Sequence, residues 1–558
     1  MGKRFSALAL ALMLVFALAG CAGTPPSSQP ASASVPASAP ASSSVPAAET
    51  RWQDTLAAAA AAAQPGQAQT DGAATEAASA VRTWYEVFVY TFCDSNGDGI
   101  GDLTGVTETL DYMTYLGFNG LWLTPIFPSP TYHKYDVADY TAIDPAFGSL
   151  DDFDALIAAA NARGISVILD FPLNHTSVEH PWFVAAKAAV TEGRMDDPHI
   201  GYYHIAQEKG SGNWEELAPG WYYECQFWGG MPDLDLASPA LRAELEAAAA
   251  FWLGRGVAGF RLDAVKEFET GNNAFNIDTL RWFNDCVKGI RPDAWLVGEN
   301  WDTTPALYTY YASGVDSFFD FPFAGSSGYI AQALLQADSP ASRYTAALAD
   351  ELPLIAAQNP GGTPAPFFTN HDTPRAAGFL RRDAARIKLA WAMNLLQNGN
   401  AFVYYGEELG MAGSGKDENK RAPMYWTADP DAPGMTAGPP GMDAQEHPFP
   451  PADQQIGDAT SILEFVRSAV ALRQAQPVLA LGQVEALDLG DAPAKVGAVQ
   501  KTLGDETVVL YFNLGGDAAT LPNIAGTLTA SLPTGDAPPT LAGGILELPG
   551  LCIAVVAG

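Results

Sequence analysis

The stretch Val257-Ala-Gly-Phe-Arg261-Leu-Asp263, continued by Ala264-Val-Lys266, decides the fold. It reads as a short buried strand that ends in charged groups, which a strand covered on both faces carries only where it leaves the core. Ile165–Phe171 repeats the pattern and runs into Asp170-Phe-Pro-Leu-Asn174-His175. So do Trp295–Glu299, continued by Asn300-Trp301, and Pro366–Asn370, continued by His371-Asp372. Trp84–Phe92, Gly120–Thr124, Ser317–Phe321 and Ala401–Tyr405 read as four further strands. Helical patterns such as Leu150–Arg163, Pro239–Gly254 and Ala384–Leu396 lie between them. Alternation over eight strands predicts an α/β fold, a parallel (β/α)8 TIM barrel, in preference to a doubly wound sheet. Carboxylates at single strand ends are often helix caps. Four polar strand ends in order along one barrel predict a site at its C-terminal mouth.

Working outward, residues 81–174 and 234–474 are assigned to the barrel and 175–233 to an inserted subdomain after the third strand. A loop that long usually carries function. Beyond residue 475 short strands alternate with Gly, Pro and Asp turns, which predicts a C-terminal antiparallel β-sandwich through residue 558. At the other end, Lys3 and Arg4 precede the apolar run Ala7–Ala19, a secretory pattern too short to span a bilayer, which takes about 20 apolar residues. Leu18-Ala19-Gly20-Cys21 resembles a lipoprotein processing site, so residues 1–21 are expected to be a signal peptide and Cys21 to carry a lipid. Residues 22–80, rich in Ala, Ser, Pro, Thr and Gln, read as an unstructured tether, with transient helix in the Ala57–Ala63 run. The expected location is extracellular, anchored to a bacterial membrane through that lipid alone. With 63 acidic against 29 basic residues, a net charge of −34, nucleic acid and anionic membrane are excluded as natural partners. Cys93, Cys225, Cys286 and Cys552 are scattered without metal-type spacing, and no essential disulfide is expected.

The four polar strand ends resemble the signature regions of the α-amylase family, glycoside hydrolase family 13, and the likeness spans roughly residues 84–558. It implies Asp263 as nucleophile, Glu299 as general acid/base and Asp372 as a third carboxylate holding sugar hydroxyls. It implies Arg261 as the residue that orients the nucleophile and keeps it ionised, and His175 and His371 as hydrogen-bond donors to the −1 sugar. Tyr132-His133-Lys134-Tyr135-Asp136 resembles the family's stacking segment, with Tyr135 a platform and His133 beside it. Asp417-Glu-Asn-Lys-Arg421 resembles the Asp/Arg pair that completes the subsite, against the alternative of a solvated charge run. Two carboxylates about 5–5.5 Å apart suit a covalent intermediate and retention of configuration. The neighbouring carboxylates are expected to raise the pKa of Glu299.

Asp94-Ser-Asn96-Gly-Asp98-Gly-Ile100-Gly-Asp102 places oxygen ligands at alternating positions, as a hard cation such as Ca²⁺ requires. It departs from an EF-hand loop at the twelfth position, Gly105, and resembles the calcium loop of several bacterial family members. A structural Ca²⁺ held by Asp94, Asn96, Asp98, Ile100 and Asp102 is therefore expected. Met231-Pro-Asp-Leu-Asp235 resembles a form between oligo-1,6-glucosidases and neopullulanases. Ala264, where α-1,6-specific members carry Val, and Lys266, matching a leaving-group-side residue of α-amylases, favour α-1,4 bonds of starch and maltooligosaccharides. An exo-acting α-glucosidase, an oligo-1,6-glucosidase or neopullulanase, and, in another class, a non-catalytic glucan-binding protein are the alternatives. Trp214, Trp221, Tyr222 and Trp228 are either sugar platforms or core of the insert, and a monomer is expected.

Overall fold

The computed structural model describes residues 52–62 and 81–558. In chain order its first strands are β1 (Thr83–Val87), β2 (Gly120–Leu123), β3 (Ser166–Phe171), β4 (Ile205–Ala206), β5 (Trp214–Ala218), β6 (Trp221–Glu224), β7 (Gly259–Leu262), β8 (Trp295–Gly298), β9 (Ser317–Phe318) and β10 (Ala401–Tyr404). Seven of them form one parallel sheet in the order β10-β1-β2-β3-β7-β8-β9. The expected strand Pro366–Asn370 is not a regular strand. Instead Pro364–Pro366 fills the gap between β9 and β10 and closes the barrel. Ala365 pairs with Phe319, and Asn400 and Phe402 donate to the Pro364 and Pro366 carbonyls at 2.9 and 2.8 Å. Two prolines without N–H groups cannot build a full ladder, which is why the seventh position is so short. The first strand is also shorter than expected, turning into a 3-10 helix at Val89–Thr91.

Side chains fill the barrel interior. Trp84, Trp122, Ile168, Val297, Phe319, Phe367 and Phe402 form one buried cluster, with Trp84 stacked on Trp295 at 5.1 Å and on Phe402 at 5.7 Å. Gly120 makes room for that indole, since a Cβ there would lie 2.4 Å from the Trp84 ring. Parallel register then aligns the mouth. Asp170 on β3 sits beside Arg261 on β7, which sits beside Val297 on β8. Side chains alternate in direction along a strand, so Asp263 and Glu299, two residues further on, follow Arg261 and Val297 toward the axis.

The insert contains a helix, Pro181–Glu192, and the antiparallel sheet β4-β6-β5. Bridges His175–Asp233 and Tyr203–Leu234 tie it to the barrel rim. The C-terminal part comprises β11 (Gln483–Leu487), β12 (Val496–Leu503), β13 (Glu506–Asn513), β14 (Ala519–Pro522), β15 (Thr527–Pro533), β16 (Thr540–Ala542), β17 (Ile545–Leu548) and β18 (Cys552–Ala557). The sheets β11-β12-β13-β18-β15 and β14-β17-β16 enclose Tyr511, Leu521, Leu546, Leu548 and Val556. Two buried basic side chains gather at this junction, Arg473 from the barrel's last long helix, Ile462–Ala475, and Lys501 from the sandwich strand β12; of the two, only Lys501 ties the parts together. Arg473 donates to the Leu395 and Gln397 carbonyls at 2.6 and 2.5 Å, and Lys501 to the Leu396 carbonyl and Asn398 Oδ1 at 2.8 Å each. They meet the negative end of the helix Ala384–Leu395.

One expectation is corrected at the N-terminal side. Residues 52–62, assigned to an unstructured tether, are a docked helix. Trp52 is buried and stacks on Trp426 with centroids 4.3 Å apart, and Leu56, one turn later, is buried beside it. Alanine supplies the helix propensity and these two large apolar residues at i and i+4 supply the packing. Cys21 and the rest of the expected signal peptide and tether lie outside the described residues. Among the described residues no helix is long and apolar enough to cross a membrane, and Cys93, Cys225, Cys286 and Cys552 are free thiols. Trp52→Ala is expected to destabilise the protein by about 3 kcal/mol, the cost of deleting a buried Trp, seen as a lower midpoint in urea denaturation. An unchanged midpoint would mean that this helix contributes nothing to the folded state.

Candidate active site

Arg261 is fully buried at the end of β7 and holds three carboxylates. One of its terminal nitrogens lies 2.9 Å from Asp170 Oδ1 and 2.5 Å from Asp263 Oδ1, and the other lies 2.9 Å from Glu299 Oε2. Glu299 also accepts from the Ala264 N–H at 3.1 Å. That N–H faces Glu299 because Ala264 takes a left-handed φ of 47°, turning the chain as it leaves the strand. A β-branched residue would be a pronounced outlier in that conformation.

A second network adjoins the first. Tyr135 OH donates to Asp170 Oδ2 at 2.8 Å and lies 2.6 Å from His371 Nε2. His371 Nδ1 lies 2.6 Å from Glu86 Oε1, and its Nε2 lies 3.0 Å from Asp372 Oδ2. Arg421 donates to Asp372 Oδ1 at 2.6 Å, to the His371 carbonyl at 3.2 Å and to Tyr132 OH at 2.9 Å. The stacking segment is pinned by Lys134, itself at φ 66°, through a buried ion pair of 2.6 Å with Asp144. That anchorage presents the flanking His133 and Tyr135 to the cavity.

These contacts split the titration of the acids. Burial pushes the Glu299 carboxyl up to about 8, with Arg261 opposing and Asp263 and Asp372 reinforcing. The expectation that neighbouring carboxylates are the cause is thus corrected: loss of hydration dominates. On Asp372 burial acts upward too, but the His371 imidazolium, its hydrogen bond and Arg421 outweigh it and hold the carboxyl well below its usual range. Burial lowers the pKa of His371, yet Asp372 and Glu86 overcome it and bring the imidazole to about 10. His175 is shifted down by burial, and its Nε2 is buried without a hydrogen-bond partner. A neutral histidine with an idle ring nitrogen beside the cavity is placed to hydrogen-bond a neutral ligand.

The cluster opens into a cavity of about 430 Å³ whose lining includes His133, Tyr135, His175, Asp263, Glu299 and Asp372. This is the size of a small-ligand site. A model of the alpha amylase catalytic domain matches residues 86–482. The chain belongs to the α-amylase family. It is a glycoside hydrolase. Alpha-amylase 3 of Dictyoglomus thermophilum is 36% identical over 77% of this chain and 84% of its own length. Glucan 1,6-alpha-glucosidase of Streptococcus dysgalactiae subsp. equisimilis is 31% identical over 77% of this chain and 90% of its own length. Among solved structures, Amy13B of Eubacterium rectale superposes with a TM-score of 0.83 at 42% identity, covering 86% of this chain and 95% of that one.

Most of the residues singled out from the sequence converge in this family member. Asp417 and Arg421 both line the cavity, although only Arg421 touches Asp372, and Asp417 stands 3.9 Å from the Arg421 guanidinium. Lys266 is not among the lining residues. It donates to the Trp301 carbonyl at 2.8 Å, which ties it to an aromatic at the rim. Of the four aromatic candidates only Trp228 lines the cavity. Trp214, Trp221 and Tyr222 belong to the insert's sheet. Sequence reasoning missed Glu86, Asp144, Phe227 and Trp301. Glu86, inside an apolar first strand, was a readable signal, because a lone carboxylate there has to find a cation.

The loop Asp94–Asp102 is a chain of side-chain-to-backbone turns. Asp94 accepts from the N–H groups of Asn96, Gly97 and Gly99, Asn96 from Asp98, and Asp98 from Ile100. Asp102 accepts from Ser95 and caps the helix Leu103–Glu108. The donor set is all oxygen, as a hard cation requires, but among the described residues no three acidic, His or Cys side chains converge as a metal-binding group.

Because Glu299 keeps its proton up to about pH 8, a step that needs it protonated is expected to run below that pH and fade above it. The alkaline limb of kcat/KM should fall near 8, matching one glutamate carboxyl that titrates there by ¹³C NMR and vanishes in Glu299→Gln. A Glu299 titration near 4.5 would refute the burial effect.

Proposed function

We propose that the chain is a retaining α-amylase that hydrolyses α-1,4-glucosidic bonds of starch and maltooligosaccharides. The observation that carries this reading is the single Arg261 guanidinium bearing both Asp263 and Glu299. Holding the pair on one planar fork suits the short separation of a retaining pair, about 5–5.5 Å, better than the roughly 6.5–9.5 Å of an inverting one. Arg261 engages Asp263 through Oδ1, so Oδ2 is the attacking oxygen. In the first step Oδ2 forms a bond to the anomeric carbon while Glu299 gives its proton to the departing glycosidic oxygen. In the second, Glu299 as carboxylate takes a proton from water, the water oxygen bonds to the same carbon, and Asp263 leaves as the free carboxylate.

The other residues serve the same sugar. Asp372, kept ionised by the cationic His371 behind it, engages ring hydroxyls with His175, and such hydrogen bonds strengthen as an oxocarbenium ion develops. His371 itself, expected to touch the sugar, is fully buried with both ring nitrogens taken and acts through Asp372. Tyr135 is the platform beneath that ring, His133 lies beside it, and Arg421 with Asp417 closes the subsite. Ala264 supports α-1,4 over α-1,6 bonds, since it lines the cavity with the smallest side chain. The named relatives include both an α-amylase and a 1,6-α-glucosidase, so products separate the readings. Mixed maltooligosaccharides from amylose, with isomaltose untouched, are the expected chromatogram. Glucose alone from short chains, or rapid isomaltose cleavage, would replace α-amylase with an α-glucosidase.

Ca²⁺ is proposed at Asp94, Asn96, Asp98, Asp102 and the Ile100 carbonyl, on the strength of their spacing. Its role would be to stiffen the barrel mouth. The pattern Lys3, Arg4, Ala7–Ala19, Cys21 supports a lipid-anchored extracellular enzyme. Asp263→Asn is expected to lower kcat/KM on maltotriose at least about a thousandfold, and full activity would sink the mechanism. Exhaustive chelation should lower Tm by several degrees, with recovery on adding Ca²⁺. An unmoved Tm would remove the ion.

A further inference from the structure

A second cavity, of about 370 Å³, lies where the insert's helix meets the barrel flank, and it shares no lining residue with the catalytic cavity. Three segments build it. The loop after β2 contributes Asp139, Tyr140 and Thr141, the start of the helix Pro181–Glu192 contributes His180, Pro181 and Trp182, and the helix Pro239–Gly254 contributes Glu244 and Phe251. Its wall is aromatic: Trp182 packs on His180 at 4.2 Å and stacks on Tyr140 at 5.9 Å.

The polar groups define what it would hold. His180 is 4% exposed, and its Nδ1 accepts the Trp182 backbone N–H at 3.2 Å. That contact places the ring proton on Nε2, a donor with no hydrogen-bond partner among the described residues. Burial keeps this imidazole neutral near pH 7. The Trp182 indole N–H likewise has no partner among the described residues. Asp139 accepts the Thr141 N–H and hydroxyl through Oδ1 alone, which leaves Oδ2 as an acceptor, and Glu244 on the opposite wall is exposed. A cation would satisfy the carboxylates but not the two N–H donors, and an anion the reverse. Hydroxyl groups donate and accept, and the C–H face of a sugar ring suits an aromatic wall.

We propose that the cleft formed by Asp139, Tyr140, Thr141, His180, Trp182 and Phe251 is a second carbohydrate-binding site, holding a pyranose unit of an α-glucan chain away from the catalytic cavity. The choice of ligand rests on the glucan reading above. The site would retain polymer near the mouth without touching the bond that is cut.

The test is native electrophoresis in gels with and without amylopectin, using Glu299→Gln as parent. Adding Trp182→Ala, or separately Asp139→Ala with Glu244→Ala, is expected to weaken retardation at least about threefold, the worth of one stacked ring or hydrogen-bond pair. The second pair lies on the exposed rim, so it reports binding even if loss of Trp182 perturbs the fold. In the active background the same changes should raise KM for amylopectin about threefold while kcat/KM for maltotriose stays within twofold. Unchanged retardation in both variants, or equal losses on maltotriose and amylopectin, would overturn the site. Failure of the catalytic reading shows separately, as iodine clearing around the Glu299→Gln band.

Discussion

One buried guanidinium organises the mouth of this barrel. Arg261 has no access to water, and an unpaired cation there would cost several kcal/mol, so it exists only because Asp170, Asp263 and Glu299 surround it. The dependence runs both ways. Three carboxylates gathered in one dry site would repel one another and take up protons without it. Parallel register supplies the geometry, setting Asp170 beside Arg261 and carrying Asp263 and Glu299 to the same level two residues later. The strand order thus determines the electrostatics, and the electrostatics determine which acid keeps its proton.

The second network shows the same logic with a different outcome. Glu86 and Asp372 grip His371 from its two ring nitrogens and make it a cation, which in turn holds Asp372 ionised. Glu299 has a share of Arg261 but greater burial, and stays protonated into the mildly alkaline range. The titrations of the two carboxyls are separated by their surroundings, since the side chains are nearly the same chemically. The aromatic rim of Phe227, Trp228 and Trp301, each about half exposed, sits above that chemistry. Exposed rings of this size at a cavity mouth suit a ligand longer than one sugar.

Much of this was legible in the sequence because it is local. A buried strand followed by a helix can be read from a dozen residues, and eight such units, four of them with polar ends, imply closure. His175, Asp263, Glu299 and Asp372 were legible at or near the points where strands end, whereas His133, Tyr135, Asp417 and Arg421, well beyond the ends of β2 and β10, were legible only because their segments resemble those of the family. Glu86 was passed over because its partner, His371, is 285 positions away. Lys266 was assigned from its place after Asp263, yet its ammonium is turned to the Trp301 carbonyl. Which way a long flexible side chain points is decided by what the fold brings near it.

The sequence by itself determined the barrel, because apolar periodicity is a short-range property, and the resemblance of its strand-end motifs to those of the α-amylase family singled out Asp263, Glu299 and Asp372. Tertiary structure alone decided that Pro364–Pro366 closes the ring with half a ladder and that residues 52–62 dock through Trp52 on Trp426. It also decided which aromatics face a ligand and why Glu299 is the acid that holds its proton. Those outcomes depend on burial and on partners hundreds of residues apart. Hydration lost on burial is a property of the assembled core, and no stretch of chain carries it alone.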